Sequence, residues 1–411
     1  IMNNVDDGIE IWGGTFNLKN FSIWNIGDDS LDIDQGYRGR IQFGLIVQGF
    51  STDASQGSGV GDNACEIDGA EDSDWQPVTT TSLYNLTVIG QPIDGDGLTA
   101  WRDNANVQYR KCIFMDCGEK VVRFDGDDGD GANGYGFNGT LDWPTHWTTA
   151  YNTYSTVNAP GNPQSFYRAQ FNGNLVEMTD SVFFNNTSSS AYTEANARNV
   201  FDAANNNVLE PATSPVTDIQ RAAPVVRGGK VMQQVTNIDT RPAADALTSV
   251  GIAPNDGFFT SENKYRGAFD PADPNWLHGW SAADAFGFLA PKQIVTEMRV
   301  GPNPIARLIV NQSVTQATVI RNGEVLCDET PISAGGGVFS FNCGGTVVNI
   351  QRVGGSYQWS VPAIGASGPL KVIDVHVGTQ RPARKPTPNA CKLRAARGAA
   401  GASDLDRNAV D

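Results

Sequence analysis

Five short segments of alternating apolar and polar residues recur in the first third of the chain, and they constrain its fold more than any other feature. They cover residues 7–12, 29–34, 63–68, 96–101 and 120–125. Ungapped alignment places an apolar residue at the third and fifth positions of every segment, the period-2 pattern of a strand with one buried face. Each segment is followed by a second apolar strand. Repeated strands with longer excursions confined to turns predict an all-β parallel β-helix, or solenoid.

The same alignment predicts which residues point out of the β-helix. The first outward column is Glu10, Asp32, Glu66, Thr99 and Arg123, and the second is Trp12, Asp34, Asp68, Trp101 and Asp125. Neighbouring parallel strands lie about 4.8 Å apart, so Glu10, Asp32 and Glu66 would stack as like charges. At an effective dielectric constant near 20, each such neighbour costs about 3 kcal/mol.

A column of carboxylates can be stabilised by protonation, by solvation, or by a hard cation such as Ca²⁺. The first possibility suits acid/base catalysis by Glu10, Asp32 and Glu66. The third makes Asp32, Asp34, Glu66 and Asp68 calcium ligands, and the second is a solvated acidic face. Acidic turn residues near the same strands add further oxygens, although Asp and Asn at such turns also serve as capping ladders that bind backbone groups.

A second acidic cluster follows the fifth segment. It contains the candidate metal ligands Asp127, Asp128 and Asp130. Their density resembles that of a calcium loop, but the terminal Glu of an EF-hand is missing, and a Gly/Asp-rich surface loop is the alternative. Aromatic residues beyond this cluster either form a sugar-stacking platform or anchor the loop to the β-helix; they are Trp143, His146, Trp147, Tyr151 and Tyr154.

Two motifs resemble the hallmarks of a widespread, secreted, pectin-lyase-like bacterial β-helix family. Residues 4–15 read Asn-Val-Asp-Asp-Gly-Ile-Glu-Ile-Trp-Gly-Gly-Thr, and residues 27–39 read Gly-Asp-Asp-Ser-Leu-Asp-Ile-Asp-Gln-Gly-Tyr-Arg-Gly. Residues 265–269 and 276–280 are similar to the family's closing region. The resemblance implies export, a right-handed parallel β-helix and no settled activity. It also implies that earlier coils are missing here, which would leave the first coil uncapped and open to self-association.

Three regions follow from these patterns. Residues 1–290 form the β-helix, with a long loop insertion at about 125–170. Residues 297–380 contain short strands and Gly-rich turns that predict a small β-sandwich-like domain. Residues 381–411 lack apolar periodicity and are interpreted as a tail or docking segment. Cys327 and Cys343 flank a Gly-rich turn and are candidates for a hairpin disulfide, which would form in an oxidising compartment.

Composition narrows the partners. The net charge of −16 disfavours nucleic acid, and no apolar run is long enough to span a membrane. We therefore expect a secreted, extracellular or cell-surface protein.

The chain lacks a Ser-His-Asp set, a zinc pattern and a phosphate loop. It also lacks the Gly-His-Gly and Arg-Ile-Lys motifs of polygalacturonases. The function that this sequence favours is non-catalytic: a calcium-stabilised β-helix that binds a glycan, a surface or copies of itself. The alternative is a polysaccharide lyase or glycoside hydrolase that acts on the acidic outward face.

Overall fold

The structure is a computed structural model. It describes residues 1–369 except for several segments, namely 52–60, 71–76, 95–96, 125–140, 142, 151–172, 187–204, 243–249, 252, 262–263, 272–274, 279, 291–292, 301–302, 312–316, 322–323, 330, 336, 344 and 354–355. Among the described residues, no helix has the length and hydropathy needed to cross a membrane. The helices within the described residues are α1 (Trp143–His146), α2 (Ala282–Ala285) and a 3₁₀ turn (Pro362–Ile364).

The repeated segments form one parallel sheet. Its strands, in spatial order, are β1 (Ile9–Gly14), β3 (Leu31–Tyr37), β5 (Cys65–Asp68), β7 (Thr99–Arg102) and β10 (Val122–Phe124). Every strand pair in this sheet is parallel. Parallel neighbours that are far apart in sequence are what a solenoid requires, so the parallel β-helix predicted from the repeats is confirmed.

The second strands of the coils form a second sheet, in which every described strand pair is also parallel. Its members are β2 (Leu18–Trp24), β4 (Arg40–Val47), β6 (Thr80–Ile89), β8 (Asn106–Arg110), β9 (Ile113–Met115), β11 (Glu177–Thr179), β12 (Val182–Phe184) and β13 (Val208–Leu209). The pairing of β2 with β4 omits Asn20 and Phe43, and the break between β8 and β9 falls at Lys111. These strands therefore bend at one position in every coil.

The bend comes from a stacked row of residues in the left-handed backbone conformation. The row contains Asn20, Phe43, Asn85, Lys111, Asp180 and Asn206, with φ between 55° and 62°. Asn and Asp tolerate this conformation better than other side chains with a Cβ atom, which explains four of the six residues. The bend divides each second strand into two segments, so a coil has three strand segments where the sequence indicated at least two.

The predicted register is correct for the first three coils. Ile9, Leu31 and Cys65 pair in one inward row, and Ile11, Ile33 and Ile67 form the next. All but Ile9 are buried in the principal hydrophobic core between the two sheets. The outward residues Glu10, Asp32 and Glu66 consequently occupy neighbouring positions on adjacent strands.

The fourth coil is shifted by one residue from the predicted alignment. Cys65 pairs with Thr99, and Ile67 pairs with Trp101. Thr99 and Trp101 are fully buried inside the β-helix, so the prediction that they point outward is wrong. Ala100 and Arg102 take the outward positions instead.

The shift follows from the packing of the Trp101 ring. Its ring centroid lies 4.8 Å from that of Trp147 and 6.2 Å from that of Tyr109. Its Nε1 donates a hydrogen bond to Thr99 Oγ1 at 2.8 Å. A buried indole with a satisfied N–H contributes more to stability than an exposed one, and this favours the observed register.

Described residues between 216 and 289 cover the outer face of the second sheet. The apolar contacts include Val47, Ile89 and Ile113 on the sheet and Ile238 and Leu277 on the covering layer. This layer contains two antiparallel hairpins, of β14 (Asp218–Arg221) with β17 (Val235–Asp239) and of β15 (Val225–Arg227) with β16 (Lys230–Met232).

A crossing segment (256–269, described except for 262–263) contacts successive coils beside the row of bends. Its contacts are Asp256 with Arg40, Phe258 O with Lys19 Nζ at 2.8 Å, Thr260 N with Gln42 Oε1 at 2.8 Å, Tyr265 O with Asn85 Nδ2 at 2.9 Å, and Gly267 N with Lys111 O at 2.8 Å. Buried Arg266 extends the series by donating to the backbone oxygens of Asp180 and Asn206. The crossing segment therefore ties six coils together.

Asn85 joins the bend to the crossing segment, so its replacement tests both. We expect Asn85→Ala to lower the free energy of unfolding by about 2–4 kcal/mol, because strain in the left-handed conformation adds to two lost buried hydrogen bonds. Asn85→Gly should recover about 1 kcal/mol of this loss, since glycine adopts the bend without strain. Urea unfolding measures both values. Equal losses for the two variants would contradict the role of Asn85 in the bend.

The C-terminal strands form two antiparallel sheets around one core. The first contains β18 (Gln293–Val300), β19 (Asn303–Asn311), β20 (Ala317–Arg321) and β21 (Glu324–Glu329), and the second contains β22 (Ser333–Gly335), β23 (Val338–Cys343), β24 (Thr346–Val353), β25 (Ser356–Val361) and β26 (Ala366–Pro369). Leu308 and Val310 from the first sheet pack with Phe341 and Trp359 from the second. This arrangement is the sandwich-like packing expected from the sequence.

The cysteines divide into two groups. Cys65, Cys112 and Cys117 are free and buried, whereas Cys343 is disulfide-bonded. The remaining cysteines are Cys327 and Cys391. Cys327 lies on β21 and Cys343 on β23, in different sheets, so a bond between them would link the two sheets and would not be the predicted hairpin bridge. The pairing with Cys327 stays a prediction.

The chain divides into two compact units, Ile1–Asp374 and Val375–Asp411. The second unit lies outside the described residues. The predicted boundaries near 290 and 380, and the tail or docking role of 381–411, stay predictions.

Candidate functional site: a carboxylate triad on the first two coils

Three carboxylates meet where the first two coils stack. One oxygen from each of Asp7, Glu10 and Asp32 lies within 4.8 Å of the other two. Glu10 and Asp32 are register partners on β1 and β3, and Asp7 belongs to the turn before β1. Gly8 permits the close stacking, since a Cβ atom there would lie 2.3 Å from Ser30 O. We call Asp7, Glu10 and Asp32 the carboxylate triad.

The triad retains one buried oxygen that the described residues do not satisfy. Asp32 is only 9% exposed, and its Oδ1 has no hydrogen-bond partner among the described residues. Asp7 Oδ1 accepts the Asp29 backbone N–H at 3.1 Å, and Glu10 Oε1 accepts Trp12 Nε1–H at 2.7 Å. A buried carboxylate oxygen without a donor is costly, and a cation is one group that would satisfy it.

Burial and the charges of neighbouring carboxylates favour protonation of Asp7 and Asp32 when no cation is bound. Burial, followed by the charge of Asp34 and then Asp7, raises the pKa of Asp32 to about 9. Burial also raises the pKa of Asp7 to about 6, although the hydrogen bond from Asp29 acts in the opposite direction. No Lys or Arg in the described part of the chain forms an ion pair with a triad member. The site therefore favours either protons or an added cation.

Two further carboxylate groups continue from the triad along the turns. One is Asp6, Asp7 and Asp28, and the other is Asp28, Asp29 and Asp62. Part of this row is a capping ladder, as one interpretation of the sequence expected, because Asp29 Oδ1 accepts the Asn63 N–H at 2.6 Å just as Asp7 accepts that of Asp29. Burial, with the charges of Glu66 and Asp62, raises the pKa of Asp29.

Arg102 neutralises the far end of the outward columns. Its Nη1 lies 3.2 Å from Glu66 Oε1 and 3.5 Å from Asp68 Oδ2. Burial raises the pKa of Asp68 to about 8, although Arg102 lowers it. The one-residue shift of the fourth coil is what places Arg102 here, so Glu66 and Asp68 form ion pairs with a side chain of this chain.

The structure separates the candidates named from the sequence. Glu10 and Asp32 join the triad, whereas Asp34, Glu66 and Asp68 belong to no group of three close carboxylates among the described residues. Asp127, Asp128 and Asp130 lie outside the described residues. Asp32, Asp34 and Asp68 are buried, so a solvated acidic face is wrong for these three.

The sequence interpretation did not assign Asp7 to the same group as Glu10 and Asp32. The Asp-Asp-Gly turn that precedes β1 could have indicated that Asp7 belongs to this group, because the turn places a carboxylate directly below the next coil.

A surface pocket of about 300 Å³ lies at the C-terminal ends of β1 and β3. Its lining residues are Gly13, Gly14, Gln35, Gly36, Arg38, Ala70 and Pro77. Arg38 therefore borders this pocket.

The aromatic residues of the loop insertion that the structure describes anchor it to the β-helix. Trp147 stacks on Trp101, and buried His146 forms a hydrogen bond with Asn106 at 2.9 Å. Burial lowers the pKa of His146 to about 3. The side chains of Trp143, Tyr151 and Tyr154 lie outside the described residues. Trp147 and His146 are not available as a sugar-stacking platform.

Comparison with known proteins agrees with the parallel sheets. No curated protein and no solved structure matches the chain. Residues 1–143, which include the carboxylate triad, match the family model described as a pectate-lyase-like beta helix domain, and this part of the chain is therefore similar to that domain.

Proposed function

We propose that this protein is an exported, non-catalytic binding protein whose β-helix is stabilised by a calcium ion at the carboxylate triad. The observation that carries the proposal is the buried Asp32 Oδ1, which has no donor among the described residues and lies in a group with oxygens of Asp7 and Glu10. Export is supported by the turn-rich, acidic composition. The binding role is supported by the repeated coils, whose stacked strands place outward residues beside one another on successive coils.

Calcium suits the triad better than other common ions. The candidate ligands are all carboxylate oxygens, which hard cations prefer. Two oxygens on one Ca²⁺ lie at most about 5 Å apart, because each lies about 2.3–2.6 Å from the ion, and the triad meets this limit. Mg²⁺ demands a tighter octahedron. Calcium sites in extracellular modules are often weak because the surrounding calcium concentration is high, and an exported protein would fill such a site.

Thermal unfolding with calcium and with EGTA tests the proposal. Calcium at about 100 times its Kd should stabilise the protein by about 2.7 kcal/mol and raise its Tm, because only the folded state holds the triad together. Binding at neutral pH should also release protons, since Asp32 must ionise. Calorimetry in two buffers of different ionisation enthalpy measures the release. An unchanged Tm would refute calcium stabilisation.

Terbium luminescence places the ion. Tb³⁺ replaces Ca²⁺ at oxygen sites and emits when a nearby indole is excited, and the Trp12 indole is hydrogen-bonded to the triad through Glu10. We expect sensitised emission that calcium competes away. Trp12→Phe should bind Tb³⁺ with little change in affinity but lose most of the emission. Undiminished emission from this variant would place the ion elsewhere.

Glycoside hydrolysis is the second candidate, and the same site favours it through a specific pairing. Burial raises the pKa of Asp32 to about 9 and Glu10 is exposed, so the two could serve as general acid and nucleophile. A retaining mechanism needs carboxyl groups about 5–5.5 Å apart, close to the separation within the triad. Glu66 is held by Arg102 and would not take part. Incubation with neutral and uronate polysaccharides, scored for reducing ends and unsaturated products, tests this candidate, and it fails if no polysaccharide is cleaved.

A further inference from the structure

A stack of three aromatic rings leads from the core to the surface near helix α2. Phe269 is buried, its ring centroid lies 5.2 Å from that of Trp276, and the Trp276 centroid lies 6.1 Å from that of Trp280. The ring planes differ by only 12° and 14°. Trp280, at the end of the stack, is 62% exposed.

Hydrogen bonds hold the outer rings in place. Trp280 Nε1 donates to Trp276 O at 2.6 Å, and Trp276 Nε1 donates to Ala268 O at 2.9 Å. Both indole N–H groups are therefore used within the chain. What Trp280 offers to solvent is the apolar surface of a ring that is already oriented, which lowers the entropy lost on binding.

Polar groups fix the backbone beside the stack. Ser281 caps α2 by accepting the Asp284 N–H at 3.1 Å, and His278 Nδ1 lies 2.8 Å from Asp284 Oδ1. Phe286 ends α2 and is also 62% exposed. Trp280 precedes the Ser281 cap and Phe286 follows the last helical residue, so an exposed ring lies at each end of α2 in the sequence.

We propose that Trp280 and Phe286 form a binding platform for neutral polysaccharide, with the Trp280 ring stacking on the apolar face of a pyranose. The net charge of −16 repels anionic polymers and anionic lipid surfaces. Two aromatic side chains present at most about 300–500 Å², less than the roughly 800 Å² per partner that a stable protein interface buries. The platform gives the proposed binding role a location and a ligand class, and it does not depend on calcium.

Affinity electrophoresis tests the platform directly. The protein is run through gels that contain mixed-linkage β-glucan, xyloglucan, galactomannan, dextran or polygalacturonate, each with calcium and with EGTA. We expect at least one neutral polymer to retard the protein equally under both conditions. Trp280→Ala should weaken that binding at least about tenfold, and Trp280→Phe should retain part of it because the ring face remains. Phe16→Ala, which removes another exposed aromatic ring outside the carboxylate triad, should bind like the wild type.

Four outcomes would overturn the platform. They are retardation by no neutral polymer, retardation by polygalacturonate alone, equal retardation of Trp280→Ala and the wild type, and a dimer in light scattering that Trp280→Ala abolishes. Matching melting curves of the variants show that a loss of binding is not a loss of folding. Because the gels are run with EGTA as well, a failure of calcium stabilisation would leave these results unaffected.

Discussion

Asp32→Asn is expected to abolish calcium-dependent stabilisation and, without calcium, to make the protein more stable than the wild type at about pH 8. Asn cannot supply the charge that calcium requires, but it imitates the protonated acid that the buried site favours. The variant should therefore melt at the same temperature with calcium and with EGTA. Few substitutions at a binding site stabilise the protein without its ligand. Loss of the calcium response together with higher stability in EGTA would therefore identify Asp32 as a calcium ligand.

The sign of the pH effect follows from the raised pKa of Asp32. In the unfolded chain Asp32 ionises near its ordinary value of 3.8, whereas in the folded protein its pKa is about 9. Its contribution to stability is therefore complete below the lower value and is lost as the pH rises towards the higher one. The advantage of Asp32→Asn in EGTA should exceed about 1 kcal/mol at about pH 8 and vanish at about pH 4. Thermal and urea unfolding across this range measure it.

Asp218→Asn is the matched control, because Asp218 is exposed and lies outside the carboxylate groups. We expect it to change stability by less than about 0.5 kcal/mol at every pH and to keep the calcium response. If Asp32→Asn retained the calcium response, the ion would not bind at the triad. If it were less stable than the wild type in EGTA at high pH, Asp32 would be ionised and stabilised by a group other than calcium.

The sequence predicts the first three coils correctly because their strands share one alternating pattern of inward apolar and outward polar residues, although the turns between them differ in length. The fourth coil differs because Leu98 and Thr99 are both fully buried, so a pattern of buried positions fits either register. The tryptophan at position 101 does not indicate the register, since this β-helix has one tryptophan ring outside, at Trp12, and one inside, at Trp101. The choice is made by contacts of Trp101 with Trp147, a residue of the loop insertion whose position the repeats do not reveal.

The bends and the crossing segment could be predicted only in part. Asn20 and Asn85 carry a signal for the left-handed conformation, but Phe43 and Lys111 do not. The crossing segment has no periodic pattern, because it contacts the coils through backbone oxygens and single side chains. Such contacts depend on the stacking of coils that are distant in sequence.

The candidate site was also predicted only in part. The residues that were missed again depend on how coils distant in sequence stack on one another. The column of Glu10 and Asp32 follows directly from the strand pattern. The ion pairs of Arg102 with Glu66 and Asp68 depend on the shifted register, so the sequence did not predict this counter-charge. The contribution of Asp7 depends on how the turn stacks below the next coil, which alternation within a strand does not describe.

The register of the fourth coil can be tested by comparing two tryptophans that the sequence places on one outward column. Trp12 is 70% exposed, whereas Trp101 is fully buried. We expect Trp101→Ala to lower the free energy of unfolding by about 3–5 kcal/mol, because it leaves a cavity between Tyr109 and Trp147 and removes the hydrogen bond to Thr99. Trp12→Ala should cost less than about 1 kcal/mol, since its ring remains largely in solvent.

Urea unfolding at saturating calcium measures both variants without interference from the triad. Trp101→Phe should recover part of the loss, as it refills some of the cavity and keeps an aromatic contact with Trp147. If Trp101→Ala and Trp12→Ala cost equally little, Trp101 would point outward, and Arg102 would no longer be placed beside Glu66 and Asp68. Those two carboxylates would then be available to a cation together with Asp32. The stability of one buried tryptophan thus decides how many carboxylates the proposed calcium site can include.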